Sequence, residues 1–174
     1  MSTVKIGNQV LIGPNVEIDN NDVINRRNKW NVKVGFTCGA FDVLHTGHAL
    51  MLQEAKSVCD YLVVGVQSDP NIDRPAKNKP VQSYEERIIM VKAIKYVDEV
   101  VLYNTEDDLV DLLRTLKPDI RILGADWQGK KYTGWDLPIE PYFNSRDHGY
   151  SSSSLRKRIV HAELGVNDIT YEMT

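Results

Sequence analysis

The sequence predicts an α/β protein, a doubly wound parallel sheet preceded by a short N-terminal β arm. Three observations carry this. From Val32 to Gly124, short β-branched runs alternate with helical stretches, the pattern of right-handed crossover units laid on a parallel sheet. The runs YLVVGV and RIL are continuously apolar, as strands covered on both faces are. At 174 residues and 42% hydrophobic, the chain can bury one full-sized core.

The elements follow in order. The opening segment, VKIGNQVLIGPNVEIDNNDVI, repeats at a spacing of six: Ile6-Gly7, Ile12-Gly13, Ile18-Asp19 and Ile24, with Val10 and Val16 at the fifth place. That spacing fits about one coil of a left-handed β-helix. The same alternation fits a hairpin turning at Gly13-Pro14-Asn15, and the two readings stay open. The run NNDVINRRNKWN, rich in Asn and Arg, reads as a linker. Arm and linker thus take residues 1–31, the main domain 32–164 and a tail 165–174.

In the main domain VKVGFTC, YLVVGVQ, EVVLY and IRILG read as strands, and HALMLQEAKSVC, SYEERIIMVKAIKYV and DDLVDLLRTL as the helices between them. Leu109, Leu112, Leu113 and Leu116 keep the i, i+3, i+4, i+7 spacing of an amphipathic helix, which Pro118 closes.

Composition narrows the function. A net charge of −3 with 26% charged residues gives no overall pull toward nucleic acid or anionic lipid, so neither is an expected partner and any anion must be held by a local site. Cys38 and Cys59 lack a metal-type spacing and read as buried thiols. No window of 18 uncharged apolar residues occurs and no basic segment leads into an apolar run at the N-terminus, which places the expectation in the cytoplasm.

In a parallel sheet the ligand crevice lies beyond the carboxyl ends of the strands, so the loops after Cys38, Gln67, Tyr103 and Leu123 are expected to share one site. The first of these reads GAFDVLHTGH and spends two of the chain's four histidines. Gly39 and Gly47 stand too far apart for a dinucleotide fingerprint. His45 and His48 instead bracket a helix start, where free N–H groups and the helix dipole favour phosphate. Half a zinc site is the other use of His-x-x-His, but no nearby Cys, Glu or third His completes it.

GAFDVLHTGH resembles the G-x-F-D-x-x-H-x-G-H signature of the cytidylyltransferases among the HxGH nucleotidylyltransferases. The loop bearing Lys77 and Lys79 with SYEERIIMVKAIKYVDEV, the segment LGADWQGK and the segment RDHGYSSSSLRKRI are similar, in order, to the lysine loop with its S-Y-E-x-R helix, to G-D-D-W-E-G-K and to R-T-E-G-I-S-T-T-x-I of glycerol-3-phosphate cytidylyltransferases. The likeness runs from about Val34 to Ile159 and departs from the pattern at Ala40, Lys95, Ala125, His148 and Ser152-Ser153.

The resemblance implies a Rossmann-like fold, a homodimer or higher homo-oligomer, and transfer of a cytidylyl group from CTP to glycerol 3-phosphate with Mg²⁺, giving CDP-glycerol and pyrophosphate. Other polyol, sugar or amino-alcohol phosphates, ATP in place of CTP, and a non-catalytic nucleotide-binding assembly protein are the alternatives. It further implies that the nucleotide meets Gly39, Ala40, Phe41, Asp42, His45 and His48, then Gly124, Asp126 and Trp127, then Arg146, Gly149, Tyr150, Ser151, Ser152 and Ser153. The acceptor phosphate is expected at Lys77, Lys79, Arg87 and Lys95, with His45, His48, Lys79 and Arg87 catalytic and Asp42 fixing the loop or helping to place Mg²⁺.

Overall fold

A computed structural model describes residues 32–165 together with two short strands near the N-terminus, β1 (Lys5–Ile6) and β2 (Gln9–Val10). These two pair antiparallel, Lys5 opposite Val10. The hexad coil and the turn at Gly13-Pro14-Asn15 lie outside the described residues, as does nearly all of the C-terminal tail.

The main domain runs β3 (Val34–Gly39), α1 (Thr46–Ser57), β4 (Tyr61–Gln67), α2 (Tyr84–Lys92), β5 (Glu99–Tyr103), α3 (Glu106–Leu116), β6 (Ile120–Gly124), β7 (Glu140–Asn144) and α4 (Ser152–Glu163). The strands form one parallel sheet in the order β5-β4-β3-β6-β7. The chain winds outward from β3 to β5, then crosses back to place β6 on the other side of β3. The loops after β3 and β6 therefore diverge, and a crevice opens at this switch point.

Alternation along the strands divides the core. Leu62, Val64, Val66, Ile120 and Ile122 pack with Leu52 and Ala55 of α1 and Ile88 and Val91 of α2 on one face. Val34, Phe36, Val63, Val101 and Tyr103 pack with Leu109, Leu112, Leu113 and Leu116 of α3 on the other. The helix starts are written locally. Ser83 Oγ accepts from Glu86 N (3.2 Å) while Glu86 returns a bond to Ser83 N (2.7 Å) at α2, and Thr105 and Asp108 do the same at α3.

Two expectations need correction. The helix SYEERIIMVKAIKYV ends at Lys92, because Ala93 to Val97 turn through short i→i+3 bonds into β5. A fifth strand, EPYFN, escaped the pattern. It is an edge strand carrying Pro141 and an exposed start, so it shows neither the apolar run nor the alternation that reveals its neighbours.

Candidate active site

His45 is the N-cap of α1, and its Nδ1 accepts from Gly47 N at 3.0 Å. His48, three residues on, accepts the N–H of His45 on its own Nδ1 at 3.3 Å. Two imidazoles thus do the work usually given to Ser and Glu in a capping box. Because each Nδ1 is an acceptor, each neutral ring carries its proton on Nε2. His45 Nε2 lies 3.1 Å from Ser152 Oγ, and that hydroxyl donates to Asp42 O at 3.4 Å. Among the described residues His48 Nε2 meets no protein acceptor, and His48 lines the cleft, so its N–H stays available to a ligand.

Both rings are held uncharged. Burial, then the nearby His148 and Arg158, push His45 below the usual imidazole value. Burial, then His45 and Arg146, push His48 down to about 4, against a smaller opposing pull from Asp42.

The start of α4 faces the start of α1 across Gly47. A Cβ on Gly47 would lie 2.9 Å from ring carbons of both His45 and His148 and 3.0 Å from Tyr150 O. Glycine is therefore what lets the two helix N-termini touch. Ser151 caps α4 by accepting Ser154 N (3.1 Å), and Ser152 and Ser153 line the cleft. At α1 the two imidazoles and His45 O take the N–H groups of His45, Gly47 and His48, whereas at α4 the cap takes that of Ser154, so the anion cradle is the start of α4 with the His48 ring beside it.

Asp42 locks the loop that carries the histidines. Its Oδ1 accepts from Gln82 N (2.9 Å) and its Oδ2 from Arg156. Burial alone would raise the carboxyl, but the Gln82 N–H and the Arg156 guanidinium outweigh it and hold the group below its usual range. Gln82 also accepts Val43 N through its side chain at 2.7 Å. The clamp holds Phe41 and Val43 at φ of 51° and 49°, a left-handed conformation costly for Val. With a bond to each oxygen, Asp42 fixes the loop. Among the described residues no cluster of three or more His, Cys, Asp or Glu could hold a metal.

The cleft holds about 480 Å³ and touches the ends of β3, β4, β5 and β6. Gly39, Ala40 and Phe41 line it beside His48, and Gly124, Asp126 and Trp127 line it after β6. Arg146 pairs with Asp126 at 2.8 Å and so ties that loop to the approach of α4. Gly149 and Tyr150 are exposed, with the Tyr150 carbonyl turned toward Gly47.

The acceptor residues fare differently. Lys77 and Lys79 are both exposed on the loop before α2; Lys77, Asn78 and Pro80 line the cleft, and Lys79 stands between the last two. Arg87 is 1% exposed and donates to the carbonyls of Ala40 (2.6 Å), Gln67 (2.7 Å) and Ser68. Arg87 does not line the cleft. Its place is beneath the site, satisfying the carbonyls that β3 and β4 leave free at their ends. Lys95 is corrected as well. A helix antiparallel to the strands returns the chain to their amino ends, opposite the cleft, and there Lys95 lies 5.0 Å over the Tyr96 ring.

Gln82 and Arg156 are the site residues that sequence reasoning missed. Arg156 left a signal, standing four residues after Ser152 and so on the same face of α4. Gln82, in a loop, left none.

A family profile described as Cytidylyltransferase-like matches residues 36–158. The chain belongs to the cytidylyltransferase-like family. Within this nucleotidyltransferase family it is 41% identical over 128 residues to the bifunctional protein HldE of Helicobacter pylori strain HPAG1, a match covering 73% of this chain and 27% of that protein. Against HldE of Paramagnetospirillum magneticum the identity is 42% over 67% of the chain and 24% of the relative. The chain thus spans about a quarter of the length of these curated relatives. A lipopolysaccharide core biosynthesis protein from Thermoplasma volcanium overlaps structurally with a TM-score of 0.49 at 27% identity, covering 78% of this chain and 90% of that one. No described helix is long and apolar enough to cross a membrane.

Proposed function

We propose that this protein is a nucleotidylyltransferase joining a nucleoside triphosphate to a small phosphate monoester. The observation that carries the reading is the meeting of two helix N-termini around neutral imidazoles, with the Nε2–H of His48 free in the cleft. An acceptor phosphate oxygen attacks the α-phosphorus in line, a P–O bond forms, and the bond to pyrophosphate breaks. The nucleophile is already ionised near neutrality, since its second pKa is about 6, so no general base is required. Positioning and charge stabilisation are the protein's tasks.

The chain's own groups divide these tasks. His48 donates to the α-phosphate as charge accumulates, while Ser152, Ser153 and the N–H groups of α4 hold the β- and γ-phosphates with Arg146. Lys77 approaches from the opposite side as a point charge toward the acceptor. Mg²⁺ would neutralise charge on the nucleotide's phosphates, and Asp42, fixed by Gln82 and Arg156 beside the histidines, is the carboxylate of this loop that would help to place it.

The motif resemblance points to CTP and glycerol 3-phosphate. Another polyol, sugar or amino-alcohol phosphate is the alternative acceptor. A homodimer is part of the same proposal. The test incubates the full chain with CTP, ATP, GTP or UTP against glycerol 3-phosphate, ribitol 5-phosphate, hexose phosphates and phosphocholine, and measures pyrophosphate. Release that requires both nucleotide and acceptor is expected. Nucleotide binding without release in any pairing would make the protein a binding module instead.

A further inference from the structure

Strand parity gathers a thiol, a cation and a phenol on the α3 face of the sheet. Phe36 and Cys38 stand two residues apart on β3 and so share a face, and Arg121 of β6 is the register partner of Phe36. Arg121 therefore lies 4.9 Å over the Phe36 ring and reaches the sulfur beyond it, where its Nη2 donates to Cys38 Sγ at 3.1 Å. The Tyr103 hydroxyl lies against the same sulfur. Cys38, Tyr103 and Arg121 all line the cleft.

Arg121 is poorly served in this place. It is 5% exposed and, among the described residues, makes no ion pair. Its Nη1 reaches Phe36 O only at 3.5 Å, and its Nε has no partner. A buried guanidinium held by a thiol, a long carbonyl contact and a ring face has N–H groups to spare, and sulfur is a weak acceptor for them. An oxygen bonded to that sulfur would be a better one.

The chain's two cysteines differ accordingly. Cys59 is 9% exposed, packs against Gly35 and donates to Ala55 O at 3.3 Å, and burial pushes its thiol above the usual range. Cys38 is half-buried rather than buried, opens on the cleft and has a cation at its sulfur. Reactive thiols sit in electropositive, partly exposed surroundings, whereas buried ones are inert. The two pack on opposite faces of the sheet, so neither can close a disulfide on the other.

We infer that Cys38 is a modification site for hydroperoxides, at which a sulfenic acid forms and is held by Arg121. Sγ attacks the distal oxygen of the peroxide, an S–O bond forms and the O–O bond breaks. The sulfur gives up two electrons, the peroxide is reduced to an alcohol or to water, and the thiol proton passes to the departing oxygen. Negative charge gathers on that oxygen as its bond breaks, and Arg121 has unused N–H groups beside the sulfur to receive it. Return to the thiol takes a small thiol from solution, which condenses with the sulfenic acid, releases water and leaves a mixed disulfide for a second thiol to reduce. The inference stands apart from nucleotidyl transfer, because its readout is the sulfur itself.

The test treats the full chain with hydrogen peroxide in the presence of dimedone, which traps sulfenic acids, and follows the adduct at each cysteine by peptide mass spectrometry. A hydrogen bond to a charged group is worth about ten- to hundred-fold. Native Cys38 should therefore label at least about ten-fold faster than Cys59, and at least about ten-fold faster than Cys38 of the same chain unfolded in guanidinium chloride. The second comparison excludes exposure as the cause, since the unfolded thiol is the more exposed. Arg121→Leu should bring Cys38 down to about the unfolded rate with Cys59 unchanged, and Arg121→Lys, which keeps a cation, should recover part of the loss. A native Cys38 rate at or below the unfolded one overturns the inference whether or not the variants fold. So does an Arg121→Leu chain that melts cooperatively and labels as fast as the parent, or a folded Arg121→Lys chain that recovers nothing.

Discussion

Gly47→Ala perturbs the contact between the two helix N-termini and nothing else nearby. The new methyl would sit 2.9 Å from the His45 and His148 rings and 3.0 Å from Tyr150 O, where an ordinary contact starts at 3.4 Å. The neighbours must therefore retreat by about half an ångström. The rings can turn, but the carbonyl belongs to the backbone leading into α4, so part of the shift falls on the start of that helix. Overpacking of this kind costs about 1–3 kcal/mol, offset by up to about 1 kcal/mol because Ala favours a helix over Gly. Net stability then changes by about 0–2 kcal/mol, a few degrees in melting temperature.

Turnover is far more exposed. His45 and Ser152 are one hydrogen bond apart at 3.1 Å, and displacing positioning groups on the ångström scale costs about 100-fold in rate. Pyrophosphate release by the purified variant, with nucleotide affinity measured alongside, is the assay. Turnover within a few-fold of the parent would refute the claim that the two N-termini must touch to form the site.

Other perturbations separate support from contact. Arg87→Met should lower stability by about 3–5 kcal/mol, because three carbonyls lose a charged donor, and calorimetry should show the melting temperature falling by more than about 10 °C. A raised acceptor KM with unchanged melting would return Arg87 to the acceptor phosphate. Among lysines, Lys77→Ala should raise acceptor KM about ten-fold or more, Lys79→Ala less, and Lys95→Ala not measurably, read from initial rates. For pH, the His48 value is about 4 in the folded chain against about 6.5 unfolded. Between these the unfolded chain binds a proton that the folded one refuses, so stability should fall by about 2–3 kcal/mol as pH drops from about 6.5 to about 4, and be flat above. His48→Gln should remove most of that slope in denaturant titrations.

The buried strands and the helix caps were legible because they are local. YLVVGVQ states its burial outright, and S-Y-E-E states a helix start with a reciprocal cap. The histidine loop was legible through residue type and spacing, and the structure brings His45, His48 and Ser152 together at one corner. What could not be read was direction. Arg87 and Arg121 look like any charged residue in sequence, and only the sheet decides that one closes carbonyls from below while the other floors the cleft. Lys95 was misplaced because antiparallel return of the helix carries its end to the amino ends of the strands, away from the cleft. Gln82 serves through a contact 40 residues away, which no local pattern encodes.

The imidazoles themselves offer the most direct measurement. In ¹⁵N-edited NMR near neutral pH, His45 and His48 should both appear uncharged with the proton on Nε2. Adding a non-hydrolysable nucleoside triphosphate should shift the His48 Nε2–H strongly and leave His161, out on α4, unmoved. A charged His48, or one indifferent to saturating nucleotide, would contradict the placing of the triphosphate between the two helix starts.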